Sequence, residues 1–301
     1  MEVARMPAAE VRQRLSGPGL DLRTGSLTLR IRSSISRVAE GIRQLYADFP
    51  VADGGGFVDF QCQIRAPHGV RRFYRRQVCF LFEHREVFRP LPYAQAFPML
   101  EWGMNWCMAT QIRHQLVLHA AALERDGRAL VLTGPPGSGK STLCAALSQR
   151  GWRLLSDETT LLDPETGCVT GPVRPISLKN ASVEAIRAFA PHAWLSAPCH
   201  DTLKGTVVHM RPPPESVTRM TESALPGWVI FPRYRAGAAT RWRIRSPGRV
   251  LLGLAANAFN YPVLGRRAFH ALVDVAEQVD AWDLTYSDLE QVVGDIDAQT
   301  A

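Results

Sequence analysis

The residues whose types and spacing most directly suggest chemistry are Gly134, Pro135, Pro136, Gly137, Ser138, Gly139, Lys140 and Ser141. In this order they match G-x-x-x-x-G-K-[ST] in full, the pattern of a loop that cradles nucleoside triphosphate phosphates. Its glycines let the backbone turn so that successive N–H groups face phosphate oxygens. A helix beginning near Lys140 would add the positive end of its dipole. Lys140 is expected to reach the β- and γ-phosphates, Ser141 to ligate Mg²⁺, and Thr142 to complete the contact set. The expected ligands are ATP and Mg²⁺. Base contacts lie outside such a loop, so it does not itself select ATP over GTP.

A phosphate loop gives binding, and a reaction needs more. Downstream, Arg153-Leu154-Leu155-Ser156 reads as an apolar strand running into two adjacent acids, Asp157 and Glu158. Carboxylates at such a strand end can hold Mg²⁺ or take a proton from an attacking hydroxyl. Taken alone, they are as readily two solvated acids in a turn. His119 stands among apolar residues, where a histidine is more often a hydrogen-bonded core residue. Arg174, Lys179 and Lys204 fall in expected loops after the core strands. There they would either neutralise charge during phosphoryl transfer or serve as ordinary surface charges.

The elements that must position these groups can be read from periodicity. Strands are expected at 27–31, 57–64, 78–82, 116–122, 129–133, 153–155, 160–162, 228–231, 241–244 and 281–286. Helices are expected at 38–46, 98–114, 141–149, 181–189, 250–259 and 266–279. Turns fall at 53–56 and 164–167, and 212–214 is a loop. The order is no steady alternation of strand and helix, so an α/β fold with a mixed sheet is expected rather than a doubly wound parallel one. The texture changes near residue 115, giving an N-terminal α+β region, 1–114, and a loop-bearing domain, 115–301.

Bulk properties narrow the class. A hydrophobic share of 46% is that of a globular chain. No window nears the roughly 20 apolar residues of a membrane span, and the start lacks a signal peptide's apolar run, so a cytoplasmic protein is expected. Six scattered cysteines without a C-x-x-C pair suit a reduced compartment, and Cys199-His200 with His192 fits no ordinary zinc spacing. The net charge of +7 suits an acidic partner, a nucleic acid or a membrane surface. The densest basic clusters are Arg71, Arg72, Arg75, Arg76 and Arg233, Arg235, Arg241, Arg243, Arg245. The last three alternate as on one face of a strand. With no helicase motif series and no aromatic-interleaved basic motif, no nucleic-acid partner is expected.

From His119 to Glu158 the chain resembles the catalytic domain of HPr kinase/phosphorylase. The shared order is a histidine on a strand, a hairpin, the phosphate loop, a helix, Arg150-Gly151-Trp152-Arg153-Leu154, and the two acids. Further segments resemble a narrower group, the HprK-related kinase A proteins, associated with exosortase-type systems in bacteria. They are Leu45-Tyr46-Ala47-Asp48-Phe49, Glu101-Trp102-Gly103-Met104-Asn105-Trp106, Arg174-Pro175-Ile176-Ser177-Leu178-Lys179-Asn180, Lys204-Gly205-Thr206 and Phe259-Asn260-Tyr261.

The resemblance implies a P-loop kinase core of the HPr kinase and phosphoenolpyruvate carboxykinase type. It implies transfer of the γ-phosphoryl group to a serine, or another hydroxyl, of a protein or small-molecule acceptor. Asp157 matches the family's general base, and Glu158 stands where that family has a second aspartate. Ser141, Asp157 and Glu158 become the metal set, while Lys140, His119 and Arg174 join Asp157 in the catalytic set. The dephosphorylation loop has no match here and region 1–114 differs, so neither the reverse reaction, HPr as acceptor, nor the family's hexamer carries over. A homo-oligomer stays open. The competing reading is an ATP-binding regulatory or assembly factor with little or no kinase activity.

Overall fold

The structure is a computed structural model and describes every residue except Asp53 and Ala301. The turn expected at 53–56 therefore falls partly outside the described residues.

The first sheet contains β1 (Leu20–Thr24), β2 (Leu27–Ser33), β3 (Phe60–Arg65), β4 (Gln77–Phe82), β5 (Arg85–Glu86) and β6 (Leu91–Pro92). Its order is β1-β2-β3-β4-β5, with β6 also on β4. In β2 the alternation of Leu27, Leu29 and Ile31 turns an apolar face inward, ended by buried Ser33. Three helices accompany the sheet: α1 (Ala8–Ser16), α2 (Ser36–Leu45) and α3 (Ala96–Gln111). In α2 the buried residues Val38, Ala39, Ile42 and Leu45 form one stripe. The helix α3 is buried on most sides. It approaches β4 so closely that a Cβ at Gly103 would lie 2.0 Å from the Phe80 ring, so glycine is required there.

The central sheet uses β8 (Ala120–Arg125), β9 (Arg128–Thr133), β10 (Arg153–Ser156), β16 (Leu225–Tyr234), β17 (Arg241–Ile244) and β18 (Asp280–Tyr286). The remaining strands are β7 (Leu116–Leu118), β11 (Thr160–Leu162), β12 (Val169–Thr170), β13 (Ile176–Lys179), β14 (Cys199–Thr202) and β15 (Gly205–Met210). The central order is β10-β8-β9-β16-β18-β17. Pairing is parallel at β9–β16 and β16–β18 and antiparallel elsewhere, which makes the sheet mixed. Two three-stranded sheets, β12-β11-β7 and β13-β15-β14, flank it. The other helices are α4 (Lys140–Ser148), α5 (Ala181–Phe189), α6 (Pro214–Thr218), α7 (Pro247–Ala255), α8 (Tyr261–Leu264), α9 (Arg266–Gln278) and α10 (Leu289–Gln299). One apolar cluster runs without a break from the N-terminal sheet through α3 to α4 and α10.

The single strand expected at 116–122 is two strands in two sheets, with a bend at His119. The bend is held by the His119 N–H, which donates to the Asn257 carbonyl at 2.6 Å. Buried Asn260 fixes the approach: its side-chain oxygen accepts from Val117 N–H at 2.9 Å, and its amide donates to the Ile112 and Gln115 carbonyls. The strand expected at 57–64 begins only at Phe60, and the helix expected at 250–259 runs instead from Pro247 to Ala255. Proline suits that first turn because it has no N–H to leave unpaired. Lys179 and Lys204, expected in loops, sit at the end of β13 and in the β14–β15 turn.

Candidate functional site

The glycine-rich loop joins β9 to α4, the central strand and a helix buried nearly all round. Positive φ at Gly134 (147°), Gly137 (79°) and Gly139 (100°) carries the backbone through the turn. At Gly139 a Cβ would lie 2.4 Å from the Tyr286 hydroxyl oxygen. The ends of β16 and β18 brace the loop, for Tyr234 N–H donates to Ser138 O at 3.0 Å and the Tyr286 hydroxyl to Gly139 O at 3.3 Å. Lys140 Nζ donates to Gly134 O at 2.6 Å and Pro135 O at 3.1 Å, closing the loop on itself. Burial lowers the pKa of Lys140, while Asp157 and Glu158 oppose that shift.

Asp157 follows β10 directly and is 9% exposed. Its Oδ2 accepts from Ser177 N–H at 3.0 Å, and its Oδ1 is buried without a partner. Burial, with the neighbouring Glu158 charge, pushes its carboxyl up to about 6, against the pull of Ser177 N–H, Lys179 and Ser141. Glu158 moves the other way: burial would raise it, but Lys204, Lys179, His119 and Arg174 together hold it below the ordinary range. Adjacent acids thus have opposite shifts, the pattern in which one carboxylate is suited to proton transfer and the other stays charged.

His119 lies beside the acids, its Nε2 4.0 Å from Glu158 Oε1 and its ring 5.4 Å from that of Phe259. Burial and the Lys140 charge lower its pKa, so it is neutral near neutral pH. Arg174 lines the same cavity as the acids but bonds to other groups. It forms a buried ion pair with Glu101 at 3.2 Å and a hydrogen bond to Asn105 Oδ1. Lys204 extends from its turn to 5.3 Å from the Trp102 ring centroid.

The structure brings in residues to which the sequence reading gave no role. Asn105 donates to Glu158 Oε2 at 2.7 Å and accepts from the Thr159 hydroxyl at 2.9 Å. Glu101, one turn earlier, accepts from the Tyr46 hydroxyl at 2.7 Å, and burial lifts its carboxyl to about 7 despite Arg174. A narrow cavity opens among α3, β13 and the acids. Five buried polar atoms without partners belong to residues lining it: Trp102 Nε1, Asp157 Oδ1, Arg174 Nε, Ser177 Oγ and His209 Nε2. Burial, with Arg174 and Lys179 nearby, depresses His209 to about 3, so it is neutral. The i, i+4 spacing of Glu101 and Asn105 was a usable signal, since it puts both on one helix face. His209 carried none.

Among the described residues, no cluster of three or more His, Cys, Asp or Glu side chains could hold a metal ion, and no helix is long and apolar enough to cross a membrane. The cysteines are all free.

Residues 96–170 match a family model described as SynChlorMet cassette protein ScmC. That segment runs from α3 through the glycine-rich loop and both acids, and spans the boundary expected at 114/115. No curated protein matches the chain. Among solved structures, the chain is similar to the Hpr(Ser) kinase/phosphatase from Coxiella burnetii at 14% identity and a TM-score of 0.27. The match covers 61% of this chain and 95% of that one. That likeness is too distant to assign a fold.

Proposed function

We propose that the chain is an ATP-dependent kinase that transfers the γ-phosphoryl group to a serine, or another hydroxyl, of a protein or small-molecule acceptor. The reading rests chiefly on Asp157, which lines a polar cavity, has a buried Oδ1 without a partner, and lies near enough to Ser141 and Lys140 of the glycine-rich loop for each to feel its charge. A base with a pKa near the working pH combines a useful charged fraction with a strong pull on the proton.

In this reading, the backbone of Gly134 to Thr142 holds the triphosphate and Lys140 leaves the loop carbonyls for its terminal oxygens. Ser141, Asp157 and Glu158 offer the hard oxygen donors that Mg²⁺ prefers. The bound ion supplies neutralisation of the phosphate charge. The acceptor hydroxyl enters the cavity and donates to Asp157 Oδ1. As its oxygen bonds to phosphorus, the proton passes to Asp157 and the bond from phosphorus to the leaving ADP oxygen breaks. Trp102, Arg174, Ser177 and His209 hold the acceptor's polar end, and His119 orients Glu158. Region 1–114 is an accessory unit whose last helix completes the site.

The test incubates the protein with Mg²⁺ and γ-labelled ATP in a lysate of its source cells, beside Asp157→Asn checked for ATP binding. Label on a protein or metabolite only with wild type supports the kinase. Equal labelling despite intact ATP binding would favour a nucleotide-binding regulatory or assembly factor.

A further inference from the structure

We infer that the loop at 66–76, between β3 and β4, is a docking surface for an anionic phospholipid membrane. Between Asp59 and Glu83 the chain has five arginines and no acidic residue. Arg71, Arg72, Arg75 and Arg76 are all exposed, and among the described residues none of these four is in an ion pair with a carboxylate. Phe73 and Tyr74 stand between the two arginine pairs, so this basic stretch is interleaved with aromatic residues, contrary to the expectation from the sequence. Val70, Phe73 and Tyr74 are 72%, 78% and 62% exposed on the same short loop. So much apolar surface at one loop tip marks an interaction site.

The details favour a membrane over other acidic partners. The sheet order puts β3 and β4 inside the sheet, so the loop offers no free strand edge for a peptide to extend. Arg72 lies 5.6 Å from the Phe73 ring centroid and Arg75 5.7 Å from that of Tyr74. Guanidinium groups thus compete for the ring faces on which a nucleic-acid base would stack. Rings that enter the headgroup layer with cations at their sides match an anionic bilayer surface. The open concavity beside the loop, lined by Ile35, Arg65, Pro67 and Phe73, gives headgroups room. This inference is independent of the kinase reading.

The test is sedimentation of the full chain with vesicles of phosphatidylcholine alone, or with about 30% phosphatidylglycerol to supply the charge that basic residues sense. Binding to the charged vesicles alone is expected. Arg71→Glu with Arg72→Glu should weaken partitioning by about 25-fold or more, since each cation near such a surface contributes about fivefold. Phe73→Ser with Tyr74→Ser should weaken it too, and leave a remainder that salt removes. Both double variants lie on an exposed loop tip, and an unchanged melting temperature reports their folding. The inference is overturned by no sedimentation, by sedimentation that neither double variant changes, or by loss with the arginine variant alone. Binding to polyuridylate or polyglutamate with no vesicle binding would also overturn it and assign the loop to that partner.

Discussion

The Asn105 side-chain amide donates to Glu158 Oε2 at 2.7 Å, so α3 from the N-terminal region holds an acid that follows the glycine-rich loop. The same Asn105 accepts from Thr159 and Arg174, and Arg174 in turn binds Glu101. Asn105 is therefore placed to position Glu158 through the helix. Asn105→Ala should lower phosphoryl transfer by about 10- to 100-fold, the usual cost of losing a group that orients a metal-binding carboxylate. Asn105→Asp should do worse, because it sets a second negative charge against Glu158. Transfer measured across a Mg²⁺ titration checks both: a shift in the Mg²⁺ requirement is expected, and no shift would deny Asn105 this role.

Asp157 governs the pH response. Its carboxyl is raised to about 6 in the metal-free protein and a bound Mg²⁺ would draw it lower, so transfer should rise with pH at or below about 6 and then level off. Asp157→Asn should reduce transfer by about 10²- to 10⁴-fold with ATP affinity retained. Stability has the opposite sign. Between the unfolded value of 3.8 and about 6, the folded state binds more protons at this position than the unfolded chain does. Its contribution therefore falls as pH climbs through that window, and Glu101, raised from 4.5 to about 7, adds the same trend. Asp157→Asn should accordingly melt higher than wild type above about pH 7 and show little difference below about pH 4. Thermal melts at the two pH values measure this.

The strand before the glycine-rich loop and the helix after it were legible because a short apolar run, a glycine pattern and a helical pattern meet in a short stretch. Asp157 and Glu158 could be located in the sequence, but their opposite shifts could not. Those depend on Lys179, Lys204 and Arg174 arriving from later strands and turns. The bend at His119 was hidden because Leu116 to Ala122 is apolar on both sides of it, and its cause lies at Asn257 and Asn260. Strands β1, β5, β6, β12, β13, β14 and β15 are short or carry no clear alternation of apolar and polar residues, so none was legible in the sequence. Tyr46, Glu101, Asn105 and Arg174 lie in three of the segments noted for their resemblance, and the fold gathers them into one hydrogen-bonded network.

Gly139 tests whether the loop tolerates a side chain. A Cβ there would lie 2.4 Å from the Tyr286 hydroxyl oxygen and 3.3 Å from Tyr234 Cβ, at a φ of 100° that L residues avoid. Gly139→Ala should displace the loop and weaken ATP binding by at least about tenfold, the equivalent of one hydrogen bond to a charged group. Tyr286→Phe, which loses only a 3.3 Å bond to Gly139 O, should bind ATP nearly as well as wild type. Lys140→Met should weaken binding by about 10- to 100-fold and leave the melting temperature nearly unchanged, since Lys140 bonds only to loop carbonyls. Calorimetric ATP titration of the three variants separates these outcomes.

The strand that carries Asp157 depends on the buried ion pair of Arg153 with Glu124, which joins β10 to β8. Arg153 also donates to the Arg219 and Glu222 carbonyls at 2.9 and 3.2 Å, while Glu124 accepts from Gly127 N–H at 2.7 Å. Arg153→Met removes the near partner and leaves buried Glu124 with only the partly exposed Arg219 guanidinium at 3.7 Å, which should cost up to about 3–5 kcal/mol. At this chain length, that lowers the melting temperature by about 5–8 °C. Adding Glu124→Gln should recover much of the loss, because the stranded charge causes most of it. Burial opposes ionisation of Glu124, but Gly127 N–H and Arg153 outweigh it and hold the carboxyl below its usual value of 4.5. The pair's contribution is therefore present above that value and lost as pH falls through the depressed one. The gap between wild type and Arg153→Met should close in acid. A gap constant with pH would show that Arg153 acts through packing alone.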